Sequence, residues 1–112
     1  MNVGVDIVEI DRIARQTNNP RFLKRVFTPD EIAYCRSRKH SAQHFAVRFA
    51  AKEAVWKAVG APKLLHRDIQ VRNRPSGKPE VLFPAGFRAL SRRVSISLSH
   101  GRDYAVAVAL YR

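Results

Sequence analysis

The stretch from Phe45 to Ala58, Phe-Ala-Val-Arg-Phe-Ala-Ala-Lys-Glu-Ala-Val-Trp-Lys-Ala, constrains this chain more than any other. It has no Gly or Pro and is rich in Ala, so it is a helix. Measured round the helix axis from Arg48, Lys52 falls at about 40°, Glu53 at about 140° and Lys57 at about 180°. All the charge therefore lies on one half of the cylinder, and Ala, Val and Phe fill the rest. A surface helix of a globular protein shows an apolar stripe on a polar background. Here the proportions are reversed. Most of the helix is expected to be buried, with the charged arc facing a cleft or an interface. One carboxylate among three cations suits a metal held against a phosphate.

The 112 residues are enough for one core and one domain spanning 1–112, but not for two. The net charge is +12, and fifteen of the 21 basic residues are arginine, so an anionic partner is expected. Charge alone does not choose among nucleic acid, an anionic membrane, a phosphorylated ligand and an acidic protein. Cys35 is the only cysteine, which excludes an internal disulfide and points to a reducing cytoplasm and a small buried thiol. No apolar run is long enough to span a membrane, and the N-terminus lacks a signal-peptide pattern.

The periodicities give an α+β chain. Val3, Val5 and Ile7 alternate with Gly4, Asp6 and Val8 as in a strand. Residues 10–26 read as one or two short helices broken at Pro20, with Arg12, Arg15, Arg21, Lys24 and Arg25 outward. Thr28-Pro29-Asp30-Glu31 is a capping box with Pro at the first helical position, opening a helix that runs to about Arg38. Ser41 is the expected cap of the long helix, which stops near Gly60. Beyond it the period becomes two. Ile69 to Asn73, then Val81 and Phe83, flank the turn Pro75-Ser76-Gly77-Lys78, and 84–92 is a loop or short helix. Val94 to Leu98 and Tyr104 to Leu110 alternate on either side of a turn at His100–Asp103. The expected architecture is an antiparallel sheet, joined by the N-terminal strand and packed on the long buried helix.

Asp6 lies mid-strand among apolar residues, where a carboxylate is costly unless paired or metal-bound. A solvent-facing Asp on an edge strand is the plainer alternative. For Glu53 the plainer alternative is an i,i+4 bridge to Lys57, worth only about 0.2–0.5 kcal/mol. Together, Asp6 and Glu53 offer two hard oxygen donors of the kind Mg²⁺ accepts while keeping waters and phosphate oxygens. Arg48, Lys52 and Lys57 would then meet the phosphates. His100, ending a strand before a Gly turn, can project into a cleft. His40, His44 and His66 show no zinc-ligand spacing. Arg12, Arg15, Arg21 and Arg25 repeat near helical spacing and suggest docking on an acidic surface. A nucleic-acid backbone would fit their charge, but no aromatic platform or nucleic-acid motif accompanies them.

Four stretches resemble the small holo-[acyl-carrier-protein] synthase family of 4′-phosphopantetheinyl transferases. They are Gly4-Val-Asp-Ile-Val-Glu-Ile-Asp-Arg-Ile13, Phe27-Thr-Pro-Asp-Glu-Ile32, Arg48-Phe-Ala-Ala-Lys-Glu-Ala-Val-Trp-Lys-Ala58 and Ile96-Ser-Leu-Ser-His-Gly-Arg-Asp-Tyr-Ala105, with Ser76-Gly-Lys-Pro79 matching the family's Gly-Lys-Pro turn. The resemblance implies transfer of 4′-phosphopantetheine from coenzyme A to a serine of apo-acyl carrier protein, releasing adenosine 3′,5′-bisphosphate, in support of fatty acid biosynthesis. By position it makes Asp6 and Glu53 Mg²⁺ ligands and places Lys57 near the pyrophosphate. It makes Arg48 and His100 coenzyme A contacts and puts Arg12, with the basic face after it, against the acidic carrier protein. Glu53, or a water on the ion, is the implied base for the serine. A homotrimer with active sites between subunits is also implied, without a nucleic-acid or membrane partner. The chain departs from the family pattern at Asn2, where a glycine is usual, and in a shorter link from Gly60 to Asp68.

Overall fold

The computed structural model describes residues 1–112. The chain runs β1 (Asn2–Glu9), α1 (Ile10–Gln16), α2 (Pro20–Val26), α3 (Pro29–Arg36), α4 (Ser41–Val59), β2 (Gln70–Asn73), β3 (Pro79–Leu82), β4 (Val94–His100) and β5 (Tyr104–Tyr111). Short 3₁₀ segments cover His66–Asp68 and Ala85–Arg92. These are the expected α+β elements, but the strands form two sheets rather than one. β1, β5 and β4 make an antiparallel sheet in that order, while β2 and β3 pair only with each other. Residues 83–93 intervene between β3 and β4, and the hairpin closes the core from the side with Val71 and Val81.

Helix α4 lies across β1 and β5 and forms the centre of the core. Ala46, Ala50, Ala51, Ala54 and Val55 are all completely or nearly completely buried, as are Ala105, Ala107 and Ala109 of β5 opposite them. Small residues on both surfaces let helix and sheet approach closely. The approach is tightest at Gly4, where an added Cβ would stand 1.9 Å from the Ala54 carbonyl oxygen. Only glycine admits that contact, and it fixes the height of β1 on the helix. Gly60 ends α4 at φ 67°, in the left-handed conformation usual for a helix stop.

The helix starts follow local chemistry. Asn19 caps α2 by accepting from the Arg21 N–H, and Pro20 occupies its first position. Thr28 and Glu31 form the expected capping box on α3, with bonds of 2.9 and 3.2 Å. Ser41 is the first residue of α4 rather than its cap; His40 precedes it without a side-chain cap bond.

The outer face of the three-stranded sheet carries no helix. Val3, Val5 and Ile7 are 56–61% exposed, and Val108 and Leu110 stand beside them in register. Soluble chains seldom leave such a contiguous apolar strip uncovered.

Candidate active site

The charged arc of α4 is divided in two by burial. Arg48 and Lys52 are buried, whereas Glu53 and Lys57 keep side-chain exposures of 28% and 49%. The sequence reading that all four meet a cleft is therefore corrected for Lys52. Its ammonium is fully enclosed, 2.7 Å from Glu31 Oε1, and donates to the carbonyls of His66 at 3.0 Å and Ile69 at 2.7 Å. Its three protons have three acceptors, so no donor remains for a phosphate. Burial pulls the Lys52 pKa below the usual lysine value, and the Glu31 carboxylate opposes that shift. Glu31 also accepts from the Thr28 N–H through Oε1 and from the Val71 N–H through Oε2. One carboxylate thus caps α3, holds α4 and anchors β2.

At the open end of the arc, Lys57 turns away from Glu53. It pairs with Asp6 Oδ1 at 3.2 Å and donates to the Val5 carbonyl at 3.1 Å. The i,i+4 bridge considered from the sequence does not form. Asp6 shares the helix-facing side of β1 with the buried Gly4 and Val8, and its side chain is only 16% exposed. Its Oδ2 is buried without a hydrogen-bond partner. Glu53 stands four residues before Lys57 on the same stripe of α4, about 6 Å along the axis. Its Oε1 lies 3.2 Å from His66 Nε2, off the line of a hydrogen bond, and its Oε2 makes no protein contact of that kind.

Asp6 and Glu53 therefore fit the Mg²⁺ expectation in donor chemistry. Asp6 has one oxygen engaged by Lys57 and one that is buried and otherwise unsatisfied, and Glu53 has neither oxygen in a hydrogen bond. No group of three or more His, Cys, Asp or Glu is poised for a metal, so an ion here takes at most these two carboxylates from one chain. That is the habit of Mg²⁺, which retains waters and accepts ligand oxygens.

Two cavities flank the arc. One, of about 600 Å³, is walled by Phe22, Phe49, Trp56 and Leu64 and carries Glu53 and Arg25. Its mixture of apolar wall and few polar groups suits an elongated organic ligand. The other, of about 450 Å³, brings together His44, Arg48, Lys78, Ser99 and His100. Three separate stretches picked out in the sequence, Arg48, Gly77-Lys78-Pro79 and His100, thus meet in one place. Arg48 stacks on Tyr34 with its guanidinium carbon 4.3 Å from the ring centroid, and its Nε is unpartnered. Gln43 and His100 are in side-chain contact. His44, lining the same cavity, has its pKa lowered by burial and by Arg48, Arg38, His100 and His40. Asp6 and Lys57 line neither of these cavities.

The basic helices behave as expected. Arg12, Arg15, Arg21 and Arg25 are all exposed, on α1 and α2. Cys35 is fully buried, and that burial pushes its thiol up to about 11.

The family model for the 4′-phosphopantetheinyl transferase superfamily matches residues 2–109. The chain belongs to that superfamily. The holo-[acyl-carrier-protein] synthase of Chlamydia trachomatis serovar L2 is 47% identical to it, with 96% of each chain covered. That of Moorella thermoacetica is 42% identical, covering 98% of this chain and 92% of its own. Among solved structures, the Neisseria meningitidis holo-[acyl-carrier-protein] synthase superposes with a TM-score of 0.88 at 31% identity, covering 99% of this chain and 97% of its own. The Bacillus anthracis enzyme, solved in complex with CoA (3′,5′-ADP), gives 0.83 at 33% identity, covering 98% and 94%.

His66, which stands beside Glu53 and lines the same cavity, was not singled out from the sequence. It has no ligand spacing with another His or Cys, and its neighbour Glu53 lies thirteen positions earlier. The 3₁₀ turn that presents it has no strong periodic signal.

Proposed function

We propose that this protein transfers 4′-phosphopantetheine from coenzyme A to a serine of apo-acyl carrier protein, with the whole chain working as one domain. The observation that carries the reading is the Asp6 carboxylate set against Lys57 of α4, about one turn from Glu53, in a chain related over its full length to holo-[acyl-carrier-protein] synthases. The serine oxygen attacks the phosphorus that bears pantetheine. The bond from that phosphorus to the bridging oxygen breaks, and adenosine 3′,5′-bisphosphate leaves with the electron pair. Mg²⁺, held by Asp6 and Glu53, would supply Lewis-acid neutralisation of the pyrophosphate oxygens. Lys57 stabilises charge on the leaving group, and Glu53 or a water beside it takes the serine proton. Arg48 and His100 hold the nucleotide end of coenzyme A as cation and hydrogen-bond donor.

The carrier protein docks on Arg12, Arg15, Arg21 and Arg25. Arg25 supports this because it lines the same cavity as Glu53, so an acidic partner on that face stands beside the reacting centre. The assembly is a homotrimer with active sites at subunit interfaces. The uncovered strip of Val3, Val5, Ile7, Val108 and Leu110 supports an assembly, as does the spacing of Arg48 and Lys57, about 13.5 Å apart along α4. The setting is the cytoplasm, in keeping with one free buried cysteine; no helix is long and apolar enough to cross a membrane. The product supplies fatty acid biosynthesis.

The test is incubation with coenzyme A, Mg²⁺ and an apo-carrier shown competent with another transferase. A mass spectrum is expected to show the carrier heavier by one phosphopantetheine; an unchanged carrier refutes the reading. Subunit sharing is tested by mixing Asp6→Asn with His100→Ala after subunit exchange. Recovered activity is expected, and none would place each site within one chain.

A further inference from the structure

We propose that Lys52, with Glu31, is a positioning residue for Glu53, acting through His66. The proposal rests on the functional reading above and adds to it a device that holds the carboxylate in place. Lys52 grips the backbone on both sides of the 3₁₀ turn, at the His66 and Ile69 carbonyls, while Glu31 holds the Val71 N–H just beyond. The turn is closed further by Asp68, whose Oδ2 accepts from the Leu65 N–H at 3.0 Å.

A segment fixed at these points presents the His66 ring to α4. That ring lies nearly parallel to Phe49 and Trp56, at interplanar angles of 22° and 21°. Phe49, Glu53 and Trp56 are spaced i, i+4, i+7, so they form one face of the helix, and His66 lies over it. Its Nε2 is buried, has no partner and stands 3.2 Å from Glu53 Oε1. A small rotation of the ring makes the hydrogen bond. The carboxylate is then pinned by one oxygen, and Oε2 keeps a fixed orientation. Lys52 is adjacent to Glu53 in sequence but points into the core, so a single turn of α4 carries both the clamp and the group it orients.

A clamp of this kind differs from mere structural support because it predicts a metal-specific loss. The test compares the full-length parent with His66→Leu, His66→Gln and the double variant Lys52→Met/Glu31→Gln, which removes both buried charges together. Isothermal titration of MgCl₂ in the presence of coenzyme A is expected to show Mg²⁺ binding weakened by about 10–100-fold in His66→Leu and in the double variant. The turnover number is expected to fall in step, while KM for the carrier protein is unchanged. His66→Gln keeps a donor and is expected to recover most of the loss. Hydrogen exchange at the amides of residues 66–71 is expected to quicken in the double variant and to stay as in the parent in His66→Leu. Parental Mg²⁺ affinity in His66→Leu overturns the proposal even if the double variant does not fold. A parent that transfers nothing to a competent carrier overturns the functional reading, and the proposal with it.

Discussion

Lys52 and Lys57 sit five residues apart on α4, yet their surroundings give them opposite tasks. Lys52 is sealed in the core with three acceptors, one of them a carboxylate. Lys57 is half exposed, with Asp6 as its one charged partner and a backbone carbonyl as its other contact. A five-residue step turns the helix by about 140°, which carries one ammonium inward and the other to the edge of the sheet beside β1. The same side chain is a structural tie in one setting and, under the proposed function, the group that meets phosphate charge in the other. Hydrogen bonding is saturated at Lys52, whereas Lys57 keeps spare capacity.

Removing function from the open end without touching the core gives the largest expected effect. Glu53→Gln is expected to lower turnover by about 10²–10⁴-fold, measured in the carrier assay, while the thermal transition stays where it was. Lys52→Met alone reverses the pattern. It leaves Glu31 as an uncompensated buried charge and is expected to cost about 3–5 kcal/mol in denaturant unfolding. Lys57→Met gives the sharpest contrast with it. Its ammonium is half exposed and Asp6 keeps some access to solvent, so it is expected to cost clearly less stability than Lys52→Met while transfer is lost. A variant at Lys57 that unfolds as readily as one at Lys52 would break the comparison.

Gly4→Ala probes the contact that sets Asp6 opposite Lys57. The added Cβ forces β1 off the Ala54 carbonyl, and about 1–3 kcal/mol of stability is expected to go with it. The smallest effect concerns His44, beside the buried Arg48. Its lowered pKa means the unfolded chain binds the proton more tightly, so stability falls as pH drops below the ordinary histidine value of about 6.5. His44→Asn is expected to flatten that part of a pH–stability curve.

Much of this was legible in the sequence because its causes are local. The alternation of β1 put Asp6 on the side of Gly4 and Val8, and the Thr28–Glu31 box was readable from four residues. Arg48, the Gly-Lys-Pro turn and His100 could be singled out, although only the fold shows that they share a cavity. The fate of Lys52 was hidden, because a helical wheel gives angles but not what each angle faces. Its partner Glu31 is 21 positions away and already had a sufficient local role as a capping glutamate. The apolar run Phe49-Ala50-Ala51 just before Lys52 was the available hint. The separate β2–β3 hairpin was hidden for a similar reason. Strand periodicity identifies strands but does not name their neighbours.

Under the proposed function the open end of the arc, and not the buried one, meets the ligand. A crystal structure with coenzyme A and Mg²⁺ tests it most directly. One ion is expected, bound by an oxygen of Asp6 and an oxygen of Glu53 at about 2.0–2.1 Å, with Lys57 on the pyrophosphate and Lys52 still paired to Glu31. An ion bound without these two carboxylates, or Lys52 drawn out of the core onto a phosphate, would contradict it.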